Sequence, residues 1–302
     1  MSTAFLFPGQ GAQTVGMGRE LAASAPEAKM VFEKANEILG YDLAKICFEG
    51  PAEKLNSTVY SQPALFVTSV AALAVMNERE SDVVENCRYT AGLSLGEYTA
   101  LFFSGVLDFG DALRVVAERG LAMQAASDAC PSGMVTILGL NREQIEQLCR
   151  ECAQGEVLQV ANLLGPGTIA VSGAKAACER IAAAAMTAGA MKTVPLAVAG
   201  AFHTPLMQPA EERLSAALKN VHLKQPSIPV ISNVDARPHD DPEEIRRLLV
   251  QQVVSPVLWE DSVRWMVGQG VVKIYEVGPG KVLRGLVKRI ERKVECVGAM
   301  DG

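Results

Sequence analysis

Histidine is scarce in this chain: there are three in 302 residues, His203, His222 and His239. A reaction that needs an imidazole base therefore has only three places to find one. Basic charge is not in excess either. Against 34 acidic side chains stand 28 basic ones, a formal net charge of −6 spread along the chain. That balance excludes the broad electrostatic footprint of a nucleic-acid binder. An acidic protein partner would need a local basic patch. No uninterrupted apolar run approaches the roughly 18 residues that span a bilayer, so no membrane partner is expected. The N-terminus runs through Met1-Ser2-Thr3 into Ala4-Phe5-Leu6-Phe7. It lacks the basic segment and long apolar core of a secretion signal, and a cytoplasmic protein is the expectation. Internal repeats and low-complexity segments are absent as well.

The seven cysteines are odd in number and irregular in spacing, as expected of reduced thiols. Cys149 and Cys152 form one C-x-x-C. A structural zinc site usually needs a second ligand pair, and none follows. The pair reads as two ordinary helix cysteines, and no metal site is expected.

What the chain does have is apolar material, 49% of its residues, enough for a large core. A first strand is expected at 4–7, then helices over 18–24, 27–39 and 62–77, the last an apolar run that should be buried on most sides. A short strand at 89–91 precedes a helix over 95–103. Asp108 or Asp111 caps the next, ending near 126. From 127 to 197 the pattern changes to strand, helix, strand, strand, helix, strand. That is the split βαβ order of ferredoxin-like domains. It reads as an inserted subdomain, with 1–126 and 198–302 forming the core. The return segment carries a helix over 205–218, a strand at 230–233, a helix over 242–253, a strand at 273–277 and a last helix from 281 to about 291. Strands alternating with helices imply an α/β core with a mainly parallel sheet covered on both faces.

Gly92-Leu93-Ser94-Leu95-Gly96 fits G-x-S-x-G between a strand and a helix, the setting of a nucleophile elbow. Ser94 would stand at the positive end of the following helix, which favours an anionic intermediate. The bland alternative is a serine in a structural turn. A serine hydroxyl needs a base. His239 sits in the polar turn Arg237-Pro238-His239-Asp240-Asp241-Pro242, and His222 has no supporting pattern. His203, in Gly200-Ala201-Phe202-His203-Thr204-Pro205 where the chain re-enters the core, leads. The turn Phe7-Pro8-Gly9-Gln10-Gly11-Ala12-Gln13 fails as a dinucleotide fingerprint, because Thr14 stands where glycine is required. It also fails as a P-loop, because Met17 follows Gly16. What remains is a turn whose backbone N–H groups face an oxyanion, with the N–H of Leu95 as the second donor.

Four segments in order resemble the malonyl-CoA:acyl-carrier-protein transacylases, relatives of the polyketide synthase acyltransferases. They are residues 7–13, residues 92–98, Phe202-His203-Thr204-Pro205-Leu206-Met207 and Tyr275-Glu276-Val277-Gly278-Pro279-Gly280. The resemblance spans essentially the whole chain. It implies an α/β-hydrolase-like core with a ferredoxin-like insert, and malonyl transfer from coenzyme A to a carrier's phosphopantetheine thiol in fatty acid or polyketide synthesis. Ser94 is then nucleophile and His203 base. Gln252 orients the histidine through its backbone carbonyl, and Arg119 holds the malonyl carboxylate. The N–H groups of Gln10 and Leu95 form the oxyanion hole, with Gln10 also against the substrate. On a helical wheel Arg119 flanks the apolar stripe Leu113, Val116, Ala117, Gly120, from whose edge it can reach inward; read without the resemblance, an ordinary surface arginine is the plain alternative. Coenzyme A enters as a thioester substrate, with no tightly bound cofactor, and a monomer is expected. The acidic carrier would meet Lys281, Arg284, Lys288 and Arg289, which share helical spacing; a solvated helix face is the plain alternative. Two rivals remain: a serine hydrolase or thioesterase, which would normally orient its base with a carboxylate, and a non-catalytic carrier-binding subunit.

The chain departs from the family pattern at Leu93, where histidine is usual, and at Leu164 and Thr168 in the Asn-x-Asn-x-Pro-Gly-Gln segment. Asn162 and Pro166-Gly167 remain. Leu93 is expected to change pocket polarity and acyl preference rather than the chemistry.

Overall fold

Ala4, Phe5, Leu6 and Phe7 are all completely buried. Four consecutive apolar residues hidden on both faces mark a central strand of a parallel sheet, and the computed structural model places them there. It describes residues 2–198 and 200–300; residues 1, 199, 301 and 302, which the expected core segments include, lie outside them. The strands are β1 (Ser2–Phe7), β2 (Cys87–Gly92), β3 (Ser132–Leu138), β4 (Leu158–Gly165), β5 (Thr168–Ala174), β6 (Lys192–Pro195), β7 (Val230–Ile231), β8 (Val271–Glu276) and β9 (Glu295–Gly298). They form two sheets. One is five-stranded and parallel, ordered β7-β2-β1-β8-β9. The other is four-stranded and antiparallel, ordered β4-β5-β3-β6. In the second sheet β5 lies between β3 and β4, which is what splits the βαβ unit. The α/β class, the mainly parallel sheet and the ferredoxin-like second sheet are those expected from the sequence.

The 22-residue helix Thr58–Arg79 packs among other helices, chiefly Phe109–Asp128 and Pro26–Leu39. By length and composition alone it is long enough to cross a bilayer, but 83% of its apolar window is buried inside the protein. It is therefore a core helix. It extends beyond the expected 62–77 at both ends. Asp108 caps the helix Phe109–Asp128 by accepting from the Asp111 N–H at 2.9 Å, which decides between the two candidate caps. Asn141 and Gln144 form a full capping box on the helix Arg142–Ala153. Cys149 and Cys152 are buried on that helix, and no cluster of metal-ligating side chains occurs among the described residues.

Several elements differ from expectation. The helix expected over 205–218 is broken into a 3-10 turn, Pro205–Met207, and the helix Gln208–Lys219. Pro205 and Pro209 both sit at helix starts, where a missing N–H costs nothing. The strand expected at 230–233 pairs only at Val230 and Ile231. Helices Leu43–Glu49, Ala52–Asn56, Ser81–Glu85 and Trp259–Gly268 and strand β9 were not expected.

The site follows from the register. β1 and β2 are neighbours, with Phe7 opposite Gly92. Their loops therefore leave the same edge of the sheet side by side. In parallel α/β sheets that carboxyl edge is where ligands sit. The second sheet closes over it: the Leu163 N–H donates to the Val257 carbonyl at 2.9 Å, and the Val257 N–H to the Ala161 carbonyl at 2.8 Å.

Candidate active site

Two glycines build the turn at Ser94. A Cβ on Gly92 would lie 1.8 Å from the Gly96 carbonyl carbon, and one on Gly9 would lie 2.2 Å from the Leu93 oxygen. Only residues without side chains let these loops pass so closely. Ser94 takes φ +51° and His203 φ +62°. Non-glycine residues in this left-handed region cost on the order of 1–3 kcal/mol each and persist only where surrounding structure holds them. Here it does: the Ser94 N–H donates to Asn233 Oδ1 at 2.7 Å, and its carbonyl accepts from Gln252 Nε2 at 2.9 Å. The His203 N–H donates to the Val253 carbonyl at 3.1 Å, and the His203 carbonyl accepts from Gln159 Nε2 at 3.0 Å.

These constraints bring together residues 109 positions apart. Ser94 Oγ lies 2.9 Å from His203 Nε2. His203 Nδ1 lies 2.9 Å from the Gln252 backbone oxygen, so its Nδ1–H donates there and Nε2 is left as the acceptor facing the serine. Burial, reinforced by the charge of Arg119, pulls the His203 pKa down to about 4. The imidazole is thus neutral across the physiological range, as a base must be.

Arg119 is 1% exposed. Its place at the edge of an apolar stripe puts it inside, not at the surface. Nη1 donates to Gln62 Oε1 at 2.7 Å; Nη2 donates to Ser94 Oγ and to Gln252 Oε1, both at 2.9 Å. Nε has no partner among the described residues. Burial presses its pKa below the ordinary value, and nearby Tyr98 and Glu97 oppose that shift. The guanidinium also lies over the Tyr98 ring at 5.5 Å, a cation–π contact. All its hydrogen-bond acceptors are neutral, which leaves a buried positive charge facing the cavity. Glu97, 4% exposed, accepts from Gln252 Nε2 at 2.7 Å and from the Asn233 N–H at 3.2 Å. Burial pushes its pKa up to about 7, against the pull of Gln252, Asn233 and Arg119.

The cavity at the pair is about 240 Å³. The core supplies Gln10, Leu93, Leu95, Arg119 and Phe202; the second sheet supplies Met134, Thr136, Asn162, Leu164 and Ala170. Larger hollows of about 590 and 620 Å³ elsewhere contain neither Ser94, His203 nor Arg119. Among the described residues the N–H groups of Gln10 and Leu95 have no protein acceptor, and both residues line the cavity. Leu93 and Leu164, two of the three departures from the family pattern, line it together. Thr168 does not; its hydroxyl accepts from Arg289 Nη1 at 3.3 Å.

The structure thus gathers Ser94, His203, Gln252, Arg119, Gln10 and Leu95 in one place. His239 lies apart, 2.8 Å from Asp235. Of the expected basic patch, Lys281, Lys288 and Arg289 are exposed. Arg284 is not free in the same sense: its Nε donates to the buried carboxylate of Glu276 at 3.3 Å. Sequence reasoning gave no role to Gln62, Glu97, Asn233 or Gln159. Gln62 had a visible signal, a polar residue at the head of a buried apolar run. Asn233 and Gln159 had none.

The acyl transferase domain family matches residues 4–296 of the chain. A malonyl CoA-acyl carrier protein transacylase of Haemophilus influenzae is 44% identical over 298 residues, 99% of this chain and 95% of that one. The crystal structure of an acyl carrier protein S-malonyltransferase from Vibrio cholerae superposes with a TM-score of 0.94 at 43% identity, covering 98% of this chain and 96% of that one. A malonyl-transacylase in complex with its type II polyketide synthase acyl-carrier protein gives 0.94 at 40% identity, covering 99% and 95%.

Proposed function

The chain belongs to the acyl transferase family, among its malonyl CoA-acyl carrier protein transacylases, and on that premise we propose that it carries malonyl groups from coenzyme A to a carrier protein as an ester on Ser94. The contact that carries this reading is Ser94 Oγ to His203 Nε2, 2.9 Å, with the imidazole held by a carbonyl on its far side.

His203 takes the hydroxyl proton as Oγ attacks the malonyl thioester carbon. The tetrahedral oxyanion sits at the N–H groups of Gln10 and Leu95, aided by the positive end of the helix Gly96–Phe103. Collapse breaks the carbon–sulfur bond, and coenzyme A leaves with the proton from His203. The free pantetheine thiol of the carrier then gives its proton to His203 and attacks the ester, and Ser94 recovers its hydrogen. Coenzyme A passes through as a substrate, with no cofactor bound throughout. Arg119 meets the acyl carboxylate with its fork of donors. That the base is oriented by the Gln252 carbonyl, not a carboxylate, argues against the hydrolase alternative.

The carrier docks beside Lys281, Lys288 and Arg289. In support, Val282 and Leu286 of the helix Val282–Ile290, which Lys281 precedes and which carries Lys288 and Arg289, line the cavity. We take 127–197 as the inserted unit, 1–126 and 198–302 as the core, and the protein as a monomer acting in the cytoplasm.

Intact mass after exposure to malonyl-CoA tests the central step. One malonyl group should add to the chain, vanish in Ser94→Ala, and move to an added holo-carrier. Release of malonate at the same rate with and without carrier would instead favour the hydrolase.

A further inference from the structure

We infer that Glu97 is the positioning residue of this site, because one of its carboxylate oxygens gathers the two residues that hold the nucleophile's peptide groups and the base. The inference rests on the roles given above to Ser94 and His203.

Ser94 is held in its left-handed conformation at both of its peptide groups. Asn233 Oδ1 takes its N–H at 2.7 Å, and Gln252 Nε2 donates to its carbonyl at 2.9 Å. Both holders converge on one atom. The Asn233 N–H and Gln252 Nε2 donate to Glu97 Oε2 at 3.2 and 2.7 Å. Asn233 also secures the turn itself, through Nδ2 to the Gly92 carbonyl at 2.8 Å. Gln252 does more still: its backbone oxygen faces His203 Nδ1, and its Oε1 accepts from Arg119. The amide orientation that satisfies Arg119 is the one that points Nε2 at Glu97 and at Ser94.

Glu97 does not line the cavity and touches no reacting atom. It sits three residues after the nucleophile, on the first turn of the helix that Ser94 precedes. A buried carboxyl is costly unless its partners repay it. Here the partners are the residues that fix the serine and the histidine. Shared acceptors of this kind turn separate contacts into one network, in which losing one member loosens the others. Without Glu97, Gln252 and Asn233 keep their contacts to Ser94 but lose the anchor that sets their positions. A shift on the scale of an ångström at a nucleophile costs about 10²-fold in rate.

The test is single-turnover formation of the Ser94 ester at saturating malonyl-CoA, together with KM and thermal unfolding, in Glu97→Ala, Glu97→Gln and Asn233→Ala. Glu97→Ala should acylate about 10²-fold more slowly, with a much smaller rise in KM. Glu97→Gln should lie between it and the parent, because its amide oxygen still accepts but without charge. A folded Glu97→Ala protein that acylates at the parent rate overturns the inference. If Glu97→Ala does not fold, the double mutant of Glu97→Gln with Asn233→Ala decides. Glu97→Gln should cost a smaller factor in the Asn233→Ala background than alone. The same factor in both backgrounds, or no effect of Glu97→Gln, overturns it. His203→Ala is run alongside: normal acylation there would sink the base assignment, whereas an inactive His203→Ala with an unaffected Glu97→Ala sinks only this inference.

Discussion

Arg119 Nη2 stands 2.9 Å from Ser94 Oγ, the same distance at which His203 Nε2 meets that oxygen from another side. The nucleophile is thus bracketed by its base and by a buried cation whose other contacts are all uncharged. On the proposed reading, a guanidinium in that place would both select a carboxylate on the incoming acyl group and stand next to the atom that attacks it, so that selection and reaction would share one residue.

Removing Arg119 should therefore separate the two. Arg119→Ala is expected to lose malonyl transfer by a factor set by one buried charge pair, about 2–5 kcal/mol, while tolerating uncharged acyl groups better than the parent does. Lysine cannot restore it, since it offers a point charge where a fork reaches Gln62, Gln252 and Ser94 at once. Comparing kcat/KM for malonyl-CoA and acetyl-CoA in the parent, Arg119→Ala and Arg119→Lys checks this. Unchanged malonyl transfer in Arg119→Ala would remove the anchor.

How much of this was readable beforehand depended on range. The turn at Ser94 announces itself within five residues, because the glycines that allow it lie beside it. His203 could be picked because the alternatives were so few. Arg119 sits at the edge of a stripe, a place that an exposed arginine shares, and nothing local says that Gln62, 57 positions earlier, waits opposite it. Asn233 is a sharper case. A continuous run predicts a strand over 230–233, yet Ser232 and Asn233 turn out of the sheet. The Ser232 N–H donates to the Arg237 carbonyl and the Asn233 N–H to Glu97. Those bonds are long-range or made to a turn, and neither leaves a periodic trace. The helix Trp259–Gly268 carries no start signal in the sequence, because Leu258 gives it no side-chain cap.

Acid should act on His203 in a calculable direction. Its pKa is lowered to about 4 from 6.5, so the neutral base persists far below the usual imidazole range. As Glu97 takes its proton near 7, Ser94 acylation is expected to fall by no more than the factor that Glu97→Gln costs, and to fall steeply only as pH approaches 4 and His203 is protonated. Stability follows the same group. A histidine that resists protonation in the folded state, but accepts it when unfolded, favours unfolding as pH drops through 6.5 toward 4. Glu97 works in the other direction. Its pKa is raised to about 7 from 4.5. Its contribution is therefore whole below 4.5 and is lost as pH rises through 7. A pH profile of single-turnover acylation, with urea unfolding at each pH, measures both. An acid limb near 6.5 that persists in Glu97→Gln would contradict the buried neutral base.

Leu93 offers a test of pocket polarity. It lines the cavity with Leu164, and both pack on the cluster containing Val257 and Trp259. Leu93→His should leave Ser94 able to take malonyl, because the base and its carbonyl partner lie elsewhere. It should lower the acceptance of acetyl relative to malonyl, since an apolar wall is replaced by a polar one. The effect expected is small, about 1–3 kcal/mol at most, the scale on which apolar pockets discriminate. Competition between malonyl-CoA and acetyl-CoA for the Ser94 adduct reads the ratio directly; an unchanged ratio would mean that the acyl group never meets residue 93.

The carrier surface should respond to charge and salt together. Lys288 and Arg289 are exposed at the end of the helix whose Val282 and Leu286 line the cavity, whereas Arg284 is drawn to Glu276 beneath it. Reversing Lys288 and Arg289 to glutamate should raise KM for the holo-carrier and leave malonylation of Ser94 by malonyl-CoA untouched, because the first half-reaction needs no carrier. The parent's KM for carrier should itself rise with ionic strength, since exposed charges are screened over roughly 8–10 Å at ordinary salt. The reversed variant should lose most of that salt dependence. Reversing Arg284 instead would disturb the bonds from Glu276 to the Leu283 and Arg284 N–H groups, so its effect should appear in thermal stability as well as in KM. Should the Lys288 and Arg289 reversals leave carrier KM and its salt dependence unaltered, the carrier approaches from another side of the cavity, over the second sheet.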